Sequence, residues 1–86
     1  MIDLYHRTSP EMAAEIRRTG RWLSKENTQE VYFSNRRDGQ AEGYGTAVVH
    51  VRVPESLAEL EDEFPDGEQH FRVLIGLLRP EHLVQD

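Results

Sequence analysis

Cysteine is absent from this chain of 86 residues, which excludes a disulfide framework and any thiolate chemistry. A small domain without disulfides suits a reducing compartment, and a cytoplasmic location is the expectation. Long apolar runs are missing too. No stretch approaches the ~20 apolar residues that span a bilayer. The opening "MIDLYHRTSP" lacks a basic region followed by an apolar run, so it is not read as a signal peptide and no membrane partner is expected. Basic side chains are scarce: ten stand against sixteen acidic ones, for a net charge of −6. That balance disfavours nonspecific binding to a phosphate backbone. Internal repeats and low-complexity segments are also lacking. The length leaves room for one domain over 1–86 with a thin core.

Several catalytic frames are missing as well. The serines at 9, 24, 34 and 56 do not sit in a Gly-x-Ser-x-Gly elbow. His6, His50, His70 and His82 include no i,i+4 pair, so no metal site is expected, and His50 and His82 are read as surface residues. "GYG" lacks the lysine and the strand-to-helix context of a phosphate loop.

What is present reads as alternating short elements. Residues 2–7 alternate Ile2, Leu4 and His6 against Asp3, Tyr5 and Arg7, the period of a strand. "TSPE" starts a helix: Thr8 or Ser9 can cap it, Pro10 suits the first turn, and Glu11 complements the positive helix end. Met12, Ala13 and Ile16 form its apolar face and Gly20 stops it. "VYFSN" at 31–35 is a strand by content, and a short helical turn around 38–42 is possible in the glycine-rich stretch after it. Ala47, Val49, Val51 and Val53 alternate as a third strand. "ESLAELEDEF" reads as a short helix with Leu57, Leu60 and Phe64 inward, or as a loop. "PDGEQ" is a turn, and "HFRVLIGLL" is the last strand, ahead of a single helical turn in "RPEHL". Seven carboxylates between Glu55 and Glu68 read as a solvated face, or as a surface for a basic partner. The sum is an α+β fold, with a small mixed or antiparallel split sheet and one N-terminal helix.

The residues that invite chemistry are His6 ending the first strand, Tyr32 beside Phe33 and Ser34, and Tyr44 twelve residues later in "AEGYG". A histidine offers hydrogen bonds to hydroxyls and tyrosine faces stack on planar rings. Each also has an ordinary reading: a structural strand histidine, a strand with one ring in the core, a turn anchor between glycines.

Taken in order, "YHRT", "VYFS", "AEGYG" and "EQHFRVLIGLLRPEHL" resemble the ADP-ribosyltransferase superfamily in its poly(ADP-ribose) polymerase-like branch. The resemblance runs through nearly the whole chain, on short motifs. It implies an ADP-ribosyltransferase-like fold and a domain that takes NAD as substrate. It would transfer ADP-ribose to a protein or nucleic-acid acceptor, as a toxin or effector, or would hydrolyse NAD. His6 would bond the adenosine-side ribose and Tyr32 and Tyr44 would sandwich the nicotinamide. Thr8 and Ser34, the hydroxyls beside those positions, complete the NAD-facing set. Two departures stand out. Arg7 takes the place of a small residue, and His70 occupies the place of the family glutamate. Glu68, two residues earlier on the same strand face, is therefore the candidate catalytic carboxylate alongside His6, although in a Pro-Asp-Gly-Glu turn it also reads as an ordinary turn residue. His6, Tyr32 and Tyr44 are expected to line one cleft. The alternative is a non-catalytic interaction module of the same fold that turns its acidic face to a partner.

Overall fold

Alternating apolar side chains build strand β1 over Ile2–Thr8, and the sequence then switches period into helix α1, Pro10–Thr19. The computed structural model describes residues 1–22, 29–39 and 45–85. Ser9 is the cap: its Oγ accepts the Met12 N–H at 3.2 Å. Pro10 occupies the first helical turn, where a missing N–H costs nothing. Gly20 ends the helix at φ +70 and donates its N–H to the Ile16 carbonyl at 2.7 Å. A side chain there would strike the Pro80 ring, so only glycine satisfies both demands. Ala13 and Ile16 are the buried residues of α1, with Met12 packed against the cluster they join.

The remaining strands are β2 (Glu30–Ser34), β3 (Ala47–Val53), β4 (Glu59–Glu63) and β5 (Gln69–Leu74). They form one antiparallel sheet in the order β3-β1-β2-β5-β4. Leu4, Phe33, Val31, Val49, Val51, Val53 and Val73 are buried with Ala13, Ile16 and Trp22. Each large side chain so buried contributes about 1.5–3 kcal/mol. The opposite face is polar. It carries Asp3, Tyr5, His50 and Arg52 on one half, and Tyr32, Ser34, His70 and Arg72 on the other, as the register requires.

The joints of the sheet are unequal. β1 meets β3 through seven register pairs and β2 meets β5 through five, but β1 meets β2 only at Tyr5 opposite Ser34. The expected split is thus a narrow seam inside a continuous sheet.

Two expectations are corrected. "ELEDE" is an exposed edge strand, not a helix or loop, and Leu60 and Phe64 are exposed. Pairing with β5 decided this, with a register shift between Leu60 and Asp62. His50 is not a surface residue: it is only 7% exposed. Its ring stacks on Tyr5 at 4.6 Å, and the tail crosses β3 there, with Leu83 bridging Val51 and the Val84 N–H on the His50 carbonyl. Among the described residues no helix is long and apolar enough to cross a membrane.

Candidate functional site

Glu68 gets its position from the turn that precedes β5. Asp66 accepts the Glu68 N–H on its carboxylate at 3.0 Å, and Gly67 takes φ +93, which favours glycine. The Phe64 N–H closes the turn on the Glu68 carbonyl at 2.9 Å. The turn is then tied to the end of β2. Asn35 accepts the Gln69 N–H at 2.9 Å and reaches the Gly67 carbonyl at 3.3 Å, while Arg36 pairs with Asp66 at 3.2 Å.

The result is a small cluster around one carboxylate oxygen. Ser34 Oγ donates to Glu68 Oε2 at 2.8 Å, and His70 Nε2 donates to the same oxygen at 2.9 Å. Ser34 is fully buried and its Oγ also accepts the Arg36 N–H at 3.1 Å, so the hydroxyl proton is committed to Glu68. Gly39 lies directly on this pair: a Cβ there would overlap both Ser34 Oγ and Glu68 Oε2. Glu68 stands in the turn just before β5 rather than on the strand, and its hydrogen bond with His70 brings its carboxylate to the His70 face. Tyr32 lies on that face too, two residues before Ser34, and is 40% exposed.

His6 sits differently from expectation. Its ring packs edge-on against Phe33 and Trp22, at centroid distances of 5.7 and 5.5 Å. Its Nδ1 reaches the Tyr32 backbone carbonyl at 2.8 Å. A carbonyl only accepts, so Nδ1 carries the proton. Alternation from the Tyr5–Ser34 pair puts the His6 ring on the Phe33 face and the Tyr32 ring on the other. The single-cleft expectation is corrected accordingly: the sheet lies between the His6 and Tyr32 rings, so they do not line one cleft. Tyr44 lies outside the described residues, so its part in that expectation is not described.

Arg7 ties together described residues on either side of positions 40–44. Arg7 donates from Nε to the Gly39 carbonyl at 3.1 Å, and from its two terminal nitrogens to the Gly45 and Arg37 carbonyls, each at 3.4 Å. Gly45, at φ +131, packs on the carbonyl of Thr8, which is itself buried at the end of β1. The departure at position 7 thus has a structural use: a long, forked donor gathers three carbonyls that a small residue could not reach. Sequence reasoning missed this role and that of Gly39, because both depend on partners some thirty residues away. His70 was noted as standing in the glutamate's place, but not as a donor to Glu68.

A second histidine–carboxylate pair lies across the sheet. His50 Nε2 is 2.8 Å from Asp3 Oδ1, and Arg52 Nε donates to the same oxygen at 2.9 Å. These bonds, His50 first and Arg52 second, hold the Asp3 carboxyl below its ordinary range. Arg37 lies over the Tyr5 ring at 5.1 Å, next to the His50 stack. Comparison with protein-family models, with curated proteins and with solved structures gives no match, so each of these residues is judged on its geometry.

Proposed function

We propose that this chain binds NAD and transfers its ADP-ribose to a protein or nucleic-acid acceptor, as a toxin or effector. Hydrolysis of NAD is the same reaction with water as acceptor. The observation that carries the reading is the Glu68 carboxylate, held on one oxygen by Ser34 and His70 on the face of Tyr32.

The chemistry asks for such a group. The bond from the ribose C1′ to the nicotinamide nitrogen breaks, and its electron pair leaves with neutral nicotinamide. The ribose is left with oxocarbenium character, and the acceptor then bonds to C1′. A carboxylate on the ribose 2′-hydroxyl stabilises that cation, as carboxylates do in glycoside hydrolysis. Ser34 and His70 serve by fixing the carboxylate before the charge develops, so little reorganisation is needed. Tyr32, exposed on the same face, supplies an aromatic surface for the nicotinamide ring. His6 lies on the opposite face, packed against Phe33 and Trp22, and stands outside this ligand set. Tyr44 completes the NAD-facing set in this reading; Thr8, expected there from the sequence, is buried at the end of β1.

The test measures NAD binding by NMR titration and nicotinamide release by the full chain. Glu68→Gln is expected to lower turnover on the order of 10²-fold or more with NAD affinity nearly unchanged, because the charge matters most as the cation forms. Tyr32→Ala is expected to weaken binding instead. A parent that neither binds NAD at millimolar concentration nor releases nicotinamide would overturn the reading. An active parent with an equally active Glu68→Gln would remove Glu68 from the mechanism.

A further inference from the structure

Below Tyr32, the same sheet face opens into a groove of about 530 Å3, lined by Leu57, Ala58, Leu74 and Leu77 together with Glu30, Glu59, Ser56 and Arg72. The register makes the groove continuous with the Tyr32 surface. Arg72 is directly opposite Tyr32, and Leu74 is opposite Glu30. Two of its leucines are poorly covered: Leu74 is 51% exposed and Leu77 40%. In a domain with so thin a core, exposed leucines beside a groove of this size make it a candidate docking surface.

The charge around the leucines selects the occupant. Arg72 is shared among three carboxylates: Glu59 at 2.8 Å, Glu61 at 3.2 Å and Glu30 at 4.0 Å. One guanidinium cannot neutralise three carboxylates, so the rim stays negative. Glu59 meets Arg72 through one oxygen, and a carboxylate has acceptor sites for more than one partner. The Arg72 hydrogen bond also holds the Glu59 carboxyl below its ordinary range, which keeps it ionised. A purely apolar partner would bury Glu30 and Glu59 with only Arg72 to offset them, at a large desolvation cost. An acidic partner or a nucleic acid is repelled. A lysine or arginine side chain fits both features, since its stem is apolar and its tip is cationic.

We propose that this groove docks a lysine- or arginine-bearing segment of a partner protein, with the aliphatic stem on Leu57, Leu74 and Leu77 and the cation against Glu30 and Glu59. Charge on β4 also deters edge-to-edge pairing. That role accounts for Glu61, Asp62 and Glu63, but not for exposed leucines set beside two carboxylates on the neighbouring strands. The groove takes its occupant whether or not NAD binds above it.

The experiment titrates the full chain, followed by NMR, with an end-capped peptide alternating arginine and leucine. A matched peptide with glutamate in place of arginine serves as the control. The expected result is shifts centred on Leu57, Glu59, Arg72, Leu74 and Leu77 that weaken with salt, and none with the control. Glu30→Gln combined with Glu59→Gln is expected to lower affinity about tenfold, from two part-exposed charge contacts. Leu77→Ser, at an exposed position outside the ion-pair network, is expected to lower it about threefold or more by removing apolar contact. NAD-induced shifts at Tyr32 should persist in both variants, so a failed groove and a failed NAD site are told apart. Three outcomes would overturn the proposal: equal binding of the control peptide, shifts spread evenly over 55–68 with affinity indifferent to Leu77, or no shifts at millimolar peptide.

Discussion

Two histidine–carboxylate pairs face the same side of the sheet, and they are built to different ends. His50 and Asp3 lie 2.8 Å apart, His70 and Glu68 2.9 Å apart. At Asp3 the second partner is the Arg52 guanidinium, and His50 is buried and stacked on Tyr5. That cluster carries its own counter-charge in mid-strand and holds β1 to β3. At Glu68 the second partner is a neutral hydroxyl, Ser34, and the group stands at a strand end beside an exposed tyrosine. The hydroxyl and the imidazole N–H meet the Glu68 carboxylate at one oxygen and fix its geometry. Under the proposed function, the contrast separates an ion pair that holds strands together from a carboxylate positioned for a ligand.

The contrast breaks most sharply at Gly39. Gly39→Ala places a methyl group where Ser34 Oγ and Glu68 Oε2 already are. It should reduce nicotinamide release nearly as far as Glu68→Gln, and cost about 1–3 kcal/mol of stability by overpacking. Full activity in Gly39→Ala would show that the Glu68 position does not matter. Next come the histidines as a matched pair. His70→Ala should lower kcat about tenfold with KM little changed, the loss of one charge-assisted hydrogen bond; His70→Gln, which keeps a donor, should recover part of it. His50→Ala should leave kcat and KM alone but cost about 1–3 kcal/mol in chemical denaturation, because it strands a buried environment. Reversed outcomes would exchange the two roles. Ser9→Ala should cost about 1 kcal/mol by removing the α1 cap, with Thr8→Ala showing no capping loss.

The smallest effect belongs to Asp3. Its folded-state pKa is depressed, chiefly by His50 and then Arg52. Its contribution is therefore present above the ordinary carboxylate range, at about 4, and is lost as pH falls through the lower folded value. Asp3→Asn should be slightly less stable than the parent at neutral pH. The difference should close on acidification, read from thermal midpoints across pH. A gap that widens in acid would contradict the pairing.

Local rules went far in this chain because they act over a few residues. The period-two pattern of residues 2–7, the helix start at Thr8 or Ser9 followed by Pro10 and Glu11, the Gly20 stop and the Asp66–Gly67 turn all depend on neighbours in sequence; the structure extends the strand to Thr8 and selects Ser9 as the cap. The α+β composition was legible for the same reason. "ELEDE" was not, since its acidic residues have low strand propensity and Leu57, Leu60 and Phe64 mimic a helical period. Only β5 pairing along its length makes it a strand.

The site divides in the same way. The sequence by itself determined that His70 faces away from Phe71 and Val73, because alternation is a property of any strand. Tertiary structure alone decided that His6 and Tyr32 face opposite ways, since a register between β1 and β2 cannot be read before the strands meet. It also decided that Arg7 gathers carbonyls at 37, 39 and 45, that the Val84 N–H meets the His50 carbonyl, and that Ser34 and Gly39 close on Glu68. Each of those contacts joins residues distant in sequence, and the free energy that selects them comes from packing the whole sheet rather than from any local preference.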